Sequence, residues 1–134
     1  MLEKIYDAVD ENLHPLLETI EDELTKHDCD LKTQMIISVM VEEIFINIAH
    51  YAYQDNKGTA KIIIDFVDDD VLISFIDEGI AFNPLNKKDP DISLKAEDRE
   101  IGGLGIYMVK KSMDDVTYQR EGKKNILTIR KRIH

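Results

Sequence analysis

The chain has 134 residues with 27 acidic and 17 basic side chains, a net charge of −10, and 43% apolar against 33% charged residues. That composition describes one soluble globular domain, and its acidity excludes a surface built to attract nucleic acid. Cys29 is the single cysteine, so no intrachain disulfide can form; with no apolar signal core near Met1 and no run approaching the ~18 apolar residues of a membrane span, a cytoplasmic protein is expected.

Residues 2–8 (LEKIYDA) fit either a short strand or the start of a helix. Leu13, Leu16, Leu17, Ile20 and Leu24 recur at helical spacing, with Pro15 in the first turn and an end expected near His27. A second helix starts after Asp30, a good N-cap, and runs to about Tyr53. It is apolar nearly all round, from Met35 and Ile36 to Ile46 and Ile48, which predicts a buried helix. Residues 55–58 (DNKG) form a turn. Two strands follow, 59–67 and 71–77, with Asp68-Asp69-Asp70 as the hairpin turn between them. Three adjacent carboxylates converge poorly on a metal from one turn, so this turn is read as solvated. Residues 80–101 lack periodicity and hold Pro84 and Pro90. A stretch of that length in a compact domain is either functional or disordered. Gly102-Gly103-Leu104-Gly105 opens a helical pattern that reaches Met113. Two strands, near 115–121 and 125–132, turn around Gly122. The late basic residues Lys123, Lys124, Arg130, Lys131 and Arg132 are read as a strand edge protected by charge. The order predicts an α+β two-layer sandwich: helices packed on one face of a mostly antiparallel sheet, in a single domain over 1–134.

Three features carry chemistry. Glu43 and Asn47 are four residues apart on the apolar helix, so they share a face. A carboxylate there needs a partner or a cleft. Asp77 ends an apolar strand, with Gly79 two residues on. This suits an ordinary turn, or a carboxylate presented to a pocket beside a backbone that a ligand can approach. The glycines at 102–105 precede a helix, where free N–H groups and the helix dipole favour an anion. No strand immediately precedes them and no Gly-Lys-Ser/Thr follows, so the Rossmann and Walker patterns do not apply.

Taken in order, E-x-x-x-N (Glu43, Asn47), D-x-G (Asp77, Gly79), a long loop and G-x-G (Gly103, Leu104, Gly105) resemble the N, G1 and G2 boxes of the GHKL ATPases, the superfamily of gyrase, histidine kinases and mismatch-repair ATPases. The resemblance runs from about Leu31 to Arg132 and implies a histidine-kinase-like ATPase fold. The run from Arg99 to Gly105, then Ile106-Tyr107-Met108-Val109 and Met113-Asp114-Asp115-Val116, is similar to the bacterial anti-sigma-factor serine kinases; so is Ala52-Tyr53. The resemblance implies ATP and Mg²⁺ as ligands. It implies Asn47 as the Mg²⁺ ligand, Asp77 as acceptor from the adenine amino group, and Gly79 as room for the purine. Gly103, Leu104 and Gly105 would cradle phosphates, Arg99 would contact the γ-phosphate, and Thr128 would lie near the adenine. Glu43 would be the general base toward a serine hydroxyl. The implied partners are a sigma factor and an anti-sigma-factor antagonist protein, the implied oligomer a homodimer. The chain departs from the pattern at Ala81, where many relatives have a second Gly. It also departs at Arg99, one residue further from Gly103, and at Tyr51, where a His is common and His50 stands one place early. These departures bear on phosphotransfer more than on ATP, and leave a nucleotide-dependent protein-binding module as the alternative. A histidine-kinase catalytic domain would need a dimerising hairpin that the first 30 residues are too short to supply. One Cys and scattered His show no zinc-ligand spacing.

Overall fold

The computed structural model of the chain describes residues 1–54, 56–86 and 103–134. Its elements are β1 (Leu2–Asp7), α1 (Leu13–Lys26), α2 (Leu31–Asn47), β2 (Thr59–Val67), β3 (Asp70–Asp77), α3 (Gly103–Ser112), β4 (Asp115–Glu121) and β5 (Lys124–Arg132). The strands form one sheet in the order β1-β2-β3-β5-β4, and every neighbouring pair is antiparallel. The segment that fitted strand or helix is thus the edge strand β1. The predicted two-layer α+β architecture holds.

Period-two alternation explains the sheet. Ala60, Ile62 and Ile64 of β2 and Val71, Ile73 and Phe75 of β3 are buried in one core with the helices, while the residues between them are half-buried or exposed. Asp77 is the next inward residue after Phe75 and is buried with it. On β5 the inward row is Asn125, Leu127 and Ile129. β2 and β3 meet in a two-residue turn, Asp68-Asp69, with Asp68 at φ 54°; Asp70 already belongs to β3. The basic C-terminal segment is not a sheet edge, because β5 lies between β3 and β4. Its Arg130 instead pairs with Asp70 at 3.0 Å, and Arg132 with Asp69 at 3.9 Å.

Helix α1 seals Leu16, Ile20 and Leu24, one residue per turn, against the core; full burial of each stabilises by about 1.5–3 kcal/mol. Asp30 caps α2, its carboxylate accepting from Thr33 N at 2.7 Å. Ile37, Val41, Ile44 and Phe45 of α2 face the core. The expectation that this helix is buried all round is only half met: Leu31 (73%), Met35 (62%) and Val39 (50%) form an exposed stripe. Helices α1 and α3 flank α2 and the sheet lies beneath it. A two-layer fold has no third layer to cover the remaining side. After Asn47 the helix widens into one π-helical turn, Ile48–Ala52. The whole run, Leu31–Ala52, has 22 residues with a window of mean hydropathy 1.4, long and apolar enough to cross a membrane by those measures. This corrects the expectation that no such run exists. In the fold it is the helix that carries the core.

Candidate functional site

A cavity of about 660 Å³ opens between the helical layer and the sheet, beside the turn that follows β3. That volume is within the usual range for small-molecule sites, roughly 300–1,000 Å³. Its apolar walls come from Ile44, Ile48, Phe75, Ile106 and Leu127; its polar side chains include Asn47, Asp77 and Asn125. The alternation that packs Phe75 inward delivers the Asp77 carboxylate to the cavity. Helix α2 delivers Asn47 from the opposite layer, so two of the three sequence motifs converge here.

The D-x-G turn is fixed from several sides. Gly79 N donates to Asp77 Oδ1 at 2.9 Å, and Ile80 N donates to the Ala52 carbonyl at 2.9 Å. A Cβ on Gly79 would overlap the backbone of Ala52. A glycine here therefore lets the turn lie against the π-helical turn. Tyr53 braces the same turn: its hydroxyl donates to the Thr59 carbonyl and accepts from Glu78 N at 2.8 Å. Burial pushes the Tyr53 hydroxyl above the ordinary tyrosine range. The residue pair Ala52-Tyr53 noted in the sequence thus acts through the D-x-G turn.

Glu43 is half-buried. Its carboxylate lies where a Cβ on Gly105 would stand, so α2 and the first turn of α3 meet at a carboxylate-on-glycine contact. The third motif is thereby brought against the first. Gly103 and Leu104 lie in the first turn of α3; the first N–H groups of a helix lack intrahelical partners. Arg99 and Gly102 lie outside the described residues, as does most of the 80–101 segment. Up to Asn86 that segment is a loop with a short helical turn, Pro84–Asn86.

Thr128, expected near the adenine, is not among the residues that line the cavity. It falls between the inward residues Leu127 and Ile129, so it points to the open face of the sheet, where its hydroxyl bonds the Ser74 hydroxyl at 2.8 Å. The residue of this strand that reaches Asp77 is Asn125, its direct cross-strand partner. Asn125 Nδ2 donates to Asp77 Oδ1 at 2.9 Å and to the Ile80 carbonyl at 2.8 Å. Asn125 Oδ1 accepts from the Tyr118 hydroxyl at 2.5 Å and from Arg120 Nη1 at 3.1 Å. Arg120 Nη1 also donates to the Gly79 carbonyl at 3.1 Å. The signal for Asn125 is in the sequence: it is the one polar residue in an otherwise apolar inward row.

Helices on one face of a five-stranded antiparallel sheet, with a carboxamide and a carboxylate lining a cavity between the layers, define a two-layer α+β domain. A model of the histidine kinase-like ATPase domain matches residues 6–131, and the chain belongs to that family. Serine-protein kinase RsbW of Bacillus cereus (strain AH187) is 31% identical over 84 residues, covering 60% of this chain and 52% of that protein. RsbW of Bacillus mycoides (strain KBAB4) is 29% identical with the same coverage. The match thus spans about half the length of these curated relatives. Among solved structures, the RsbU and RsbW domains of a Mycobacterium tuberculosis protein superpose with a TM-score of 0.69 at 16% identity, over 98% of this chain and 31% of the other. The Acinetobacter baumannii histidine kinase AdeS gives 0.51 at 17% identity, over 100% and 68%. At these identities the likeness is one of fold.

Proposed function

We propose that this chain binds ATP with Mg²⁺ in the cavity and transfers the γ-phosphate to a serine of an antagonist protein, acting in the cytoplasm as an anti-sigma factor. The observation that carries this is the convergence of the motifs. Asn47 and Asp77 line one cavity, and the Glu43 carboxylate abuts Gly105 at the start of α3. The likeness to RsbW serine-protein kinases over 84 residues supports the protein-kinase half.

The residues suit these ligands. The apolar walls suit a flat heterocycle, and the Asp77 carboxylate suits its amino group. Oxygen donors such as the Asn47 carboxamide suit a hard cation. Mg²⁺, when bound, would supply positive charge to offset that of the phosphates. Asn47 would hold it, with Gly103, Leu104 and Gly105 around the phosphates and Arg99 on the γ-phosphate. Glu43 would take the proton of the serine hydroxyl as its oxygen bonds the γ-phosphorus and ADP leaves. General-base help of this kind is typically worth ~10²–10⁴-fold.

Two measurements test the proposal. Calorimetry with ATP·Mg²⁺ should give saturable binding that Asp77→Asn weakens by at least about tenfold, the loss of one charge-assisted hydrogen bond. Glu43→Ala should keep ATP binding and lose phosphotransfer to the antagonist protein. Transfer undiminished in that variant would remove Glu43 from the role of base. ATP-dependent partner binding with no phosphoprotein from the unaltered chain would replace the kinase by a nucleotide-dependent binding module.

A further inference from the structure

We infer that the outer ridge of α2 is a docking surface for an amphipathic helix of another protein, one whose apolar stripe is bordered by basic residues. The ridge lies on the outside of the helical layer and is separate from the cavity.

Leu31, Met35 and Val39 are each at least half exposed. They recur every fourth residue, so they line up along one side of the helix over about 12 Å. Single exposed apolar side chains are ordinary, but three in a row form an uncovered apolar strip. The core does not use them: Ile37, Val41 and Ile44 are buried on the side away from the ridge. The helix that presents them is held firmly, capped by Asp30 and packed against α1 and α3. Anchors fixed in this way dock without an ordering cost of their own. Apolar residues repeating at helical spacing are the pattern that a partner helix reads.

The charges beside the ridge select the partner. The Gln34 carboxamide of α2 donates to the Thr25 hydroxyl of α1 at 3.3 Å, so this side of α1 borders α2. Glu21 and Glu18 precede Thr25 by four and seven residues, on the same side of α1, and both are exposed. Glu18 also pairs with His14 at 2.9 Å. Glu42, seven residues after Met35, continues the ridge itself and is exposed. The opposite side of α2 is marked by Glu43, which meets Gly105 of α3. Lys32 stands three turns earlier on that side and leaves the α1 side acidic. An incoming helix therefore meets carboxylates along one border and at the far end. Basic residues beside its apolar stripe answer them. The net charge of −10 opposes a second copy of this chain, and an anionic lipid surface, in the same way.

The test is fluorescence anisotropy of the full chain with three labelled peptides, each about five helical turns long. The first has a leucine stripe bordered by lysines, and the second has the same stripe bordered by glutamates. The third is a scramble of the first that breaks the stripe. The lysine-bordered peptide should bind saturably, with the other two at least about tenfold weaker. Added salt should weaken it. Met35→Glu and Val39→Glu locate the site. Each makes the chain more acidic, so general attraction to a cationic peptide would strengthen binding. Docking on the ridge predicts a loss of at least about tenfold. Both positions are exposed, so thermal melts should stay at the wild-type value; Met35→Gln serves if a glutamate variant melts lower. Replacing Glu18 and Glu21 together by Gln should weaken the lysine-bordered peptide and reduce its salt dependence. Binding unchanged or tighter in the folded ridge variants would overturn the inference. So would equal affinity for the three peptides, or no saturable binding of the first. A dimer of the unaltered chain in sedimentation that Val39→Glu dissociates would also overturn it, by giving the ridge to a second copy.

Discussion

The two glycines that touch motif neighbours serve different ends, and substitution separates them. At Gly79 an added methyl would meet the Ala52 carbonyl and its carbon, backbone atoms that cannot step aside. Gly79→Ala should destabilise the fold by about 1–3 kcal/mol, as overpacking does, with the urea midpoint reporting the loss. At Gly105 the added methyl would meet only the end of the Glu43 side chain, which can swing to another rotamer. Alanine in the first turns of a helix is, if anything, favourable by up to about 1 kcal/mol. Gly105→Ala should therefore melt no lower than wild type, yet lose phosphotransfer because Glu43 is displaced. A lower melting point with transfer intact would show the opposite division of roles. A D-x-G and a G-x-G are legible in any sequence. That one glycine makes room for backbone and the other for a carboxylate depends on which elements lie across from them, and spacing along the chain does not contain that.

At the scale of elements, Tyr53 joins three of them: it follows the π-helical turn, holds Thr59 at the start of β2 and holds Glu78 at the end of β3. Tyr53→Phe removes both bonds; because Thr59 and Glu78 are exposed and water can take over both groups, it should cost about 0.5–1.5 kcal/mol. The pH dependence has a definite sign. Burial raises the Tyr53 hydroxyl in the folded chain, so above about pH 10 the unfolded chain gives up this proton first. Stability is then lost as pH rises through the folded value. Burial raises Cys29 as well, and its contribution has the same sign. Alkaline melts of wild type should fall more steeply than those of Tyr53→Phe; parallel curves would exclude Tyr53 from the effect. Helix and strand periods make these elements legible: α1, α2, the β2–β3 hairpin and the closing hairpin lie where alternation and caps put them. Contacts between elements are less legible. The exposed stripe Leu31-Met35-Val39 has the same residue types as the buried side of α2, so composition alone cannot tell covered from uncovered. Strand order is tertiary, which is why the basic residues of β5 read as an edge. Thr128 differs from its expected place for a reason the sequence does contain. Counting by two from Leu127 and Ile129 puts Asn125 inside and Thr128 outside.

For the molecule as a whole, the cavity and the charge make opposing demands on the ligand. The cavity sits between the layers, with walls from α2, α3, β3, β4 and β5, so a ligand filling it touches both sides of the sandwich and binds only the folded chain. At a hundred times its dissociation constant, such a ligand stabilises by about 2.7 kcal/mol. For a chain of this length that is a rise in melting temperature of roughly 10 °C. Against this, the chain carries a net charge of −10, and free ATP is itself a polyanion. The long-range field opposes its approach, and salt screens that field over about 10 Å at 0.1 M. Melts with ATP should therefore show a full shift when Mg²⁺ is present. With chelator and low salt the shift should be smaller, and it should grow again as inert salt is added. Nucleotide sites on basic proteins respond to salt in the opposite direction, because there screening removes an attraction. A shift that is equal with and without Mg²⁺, and indifferent to salt, would mean that the net charge is not felt at the cavity. The basic side chains beside it, Arg120 among them, would then set the local field alone.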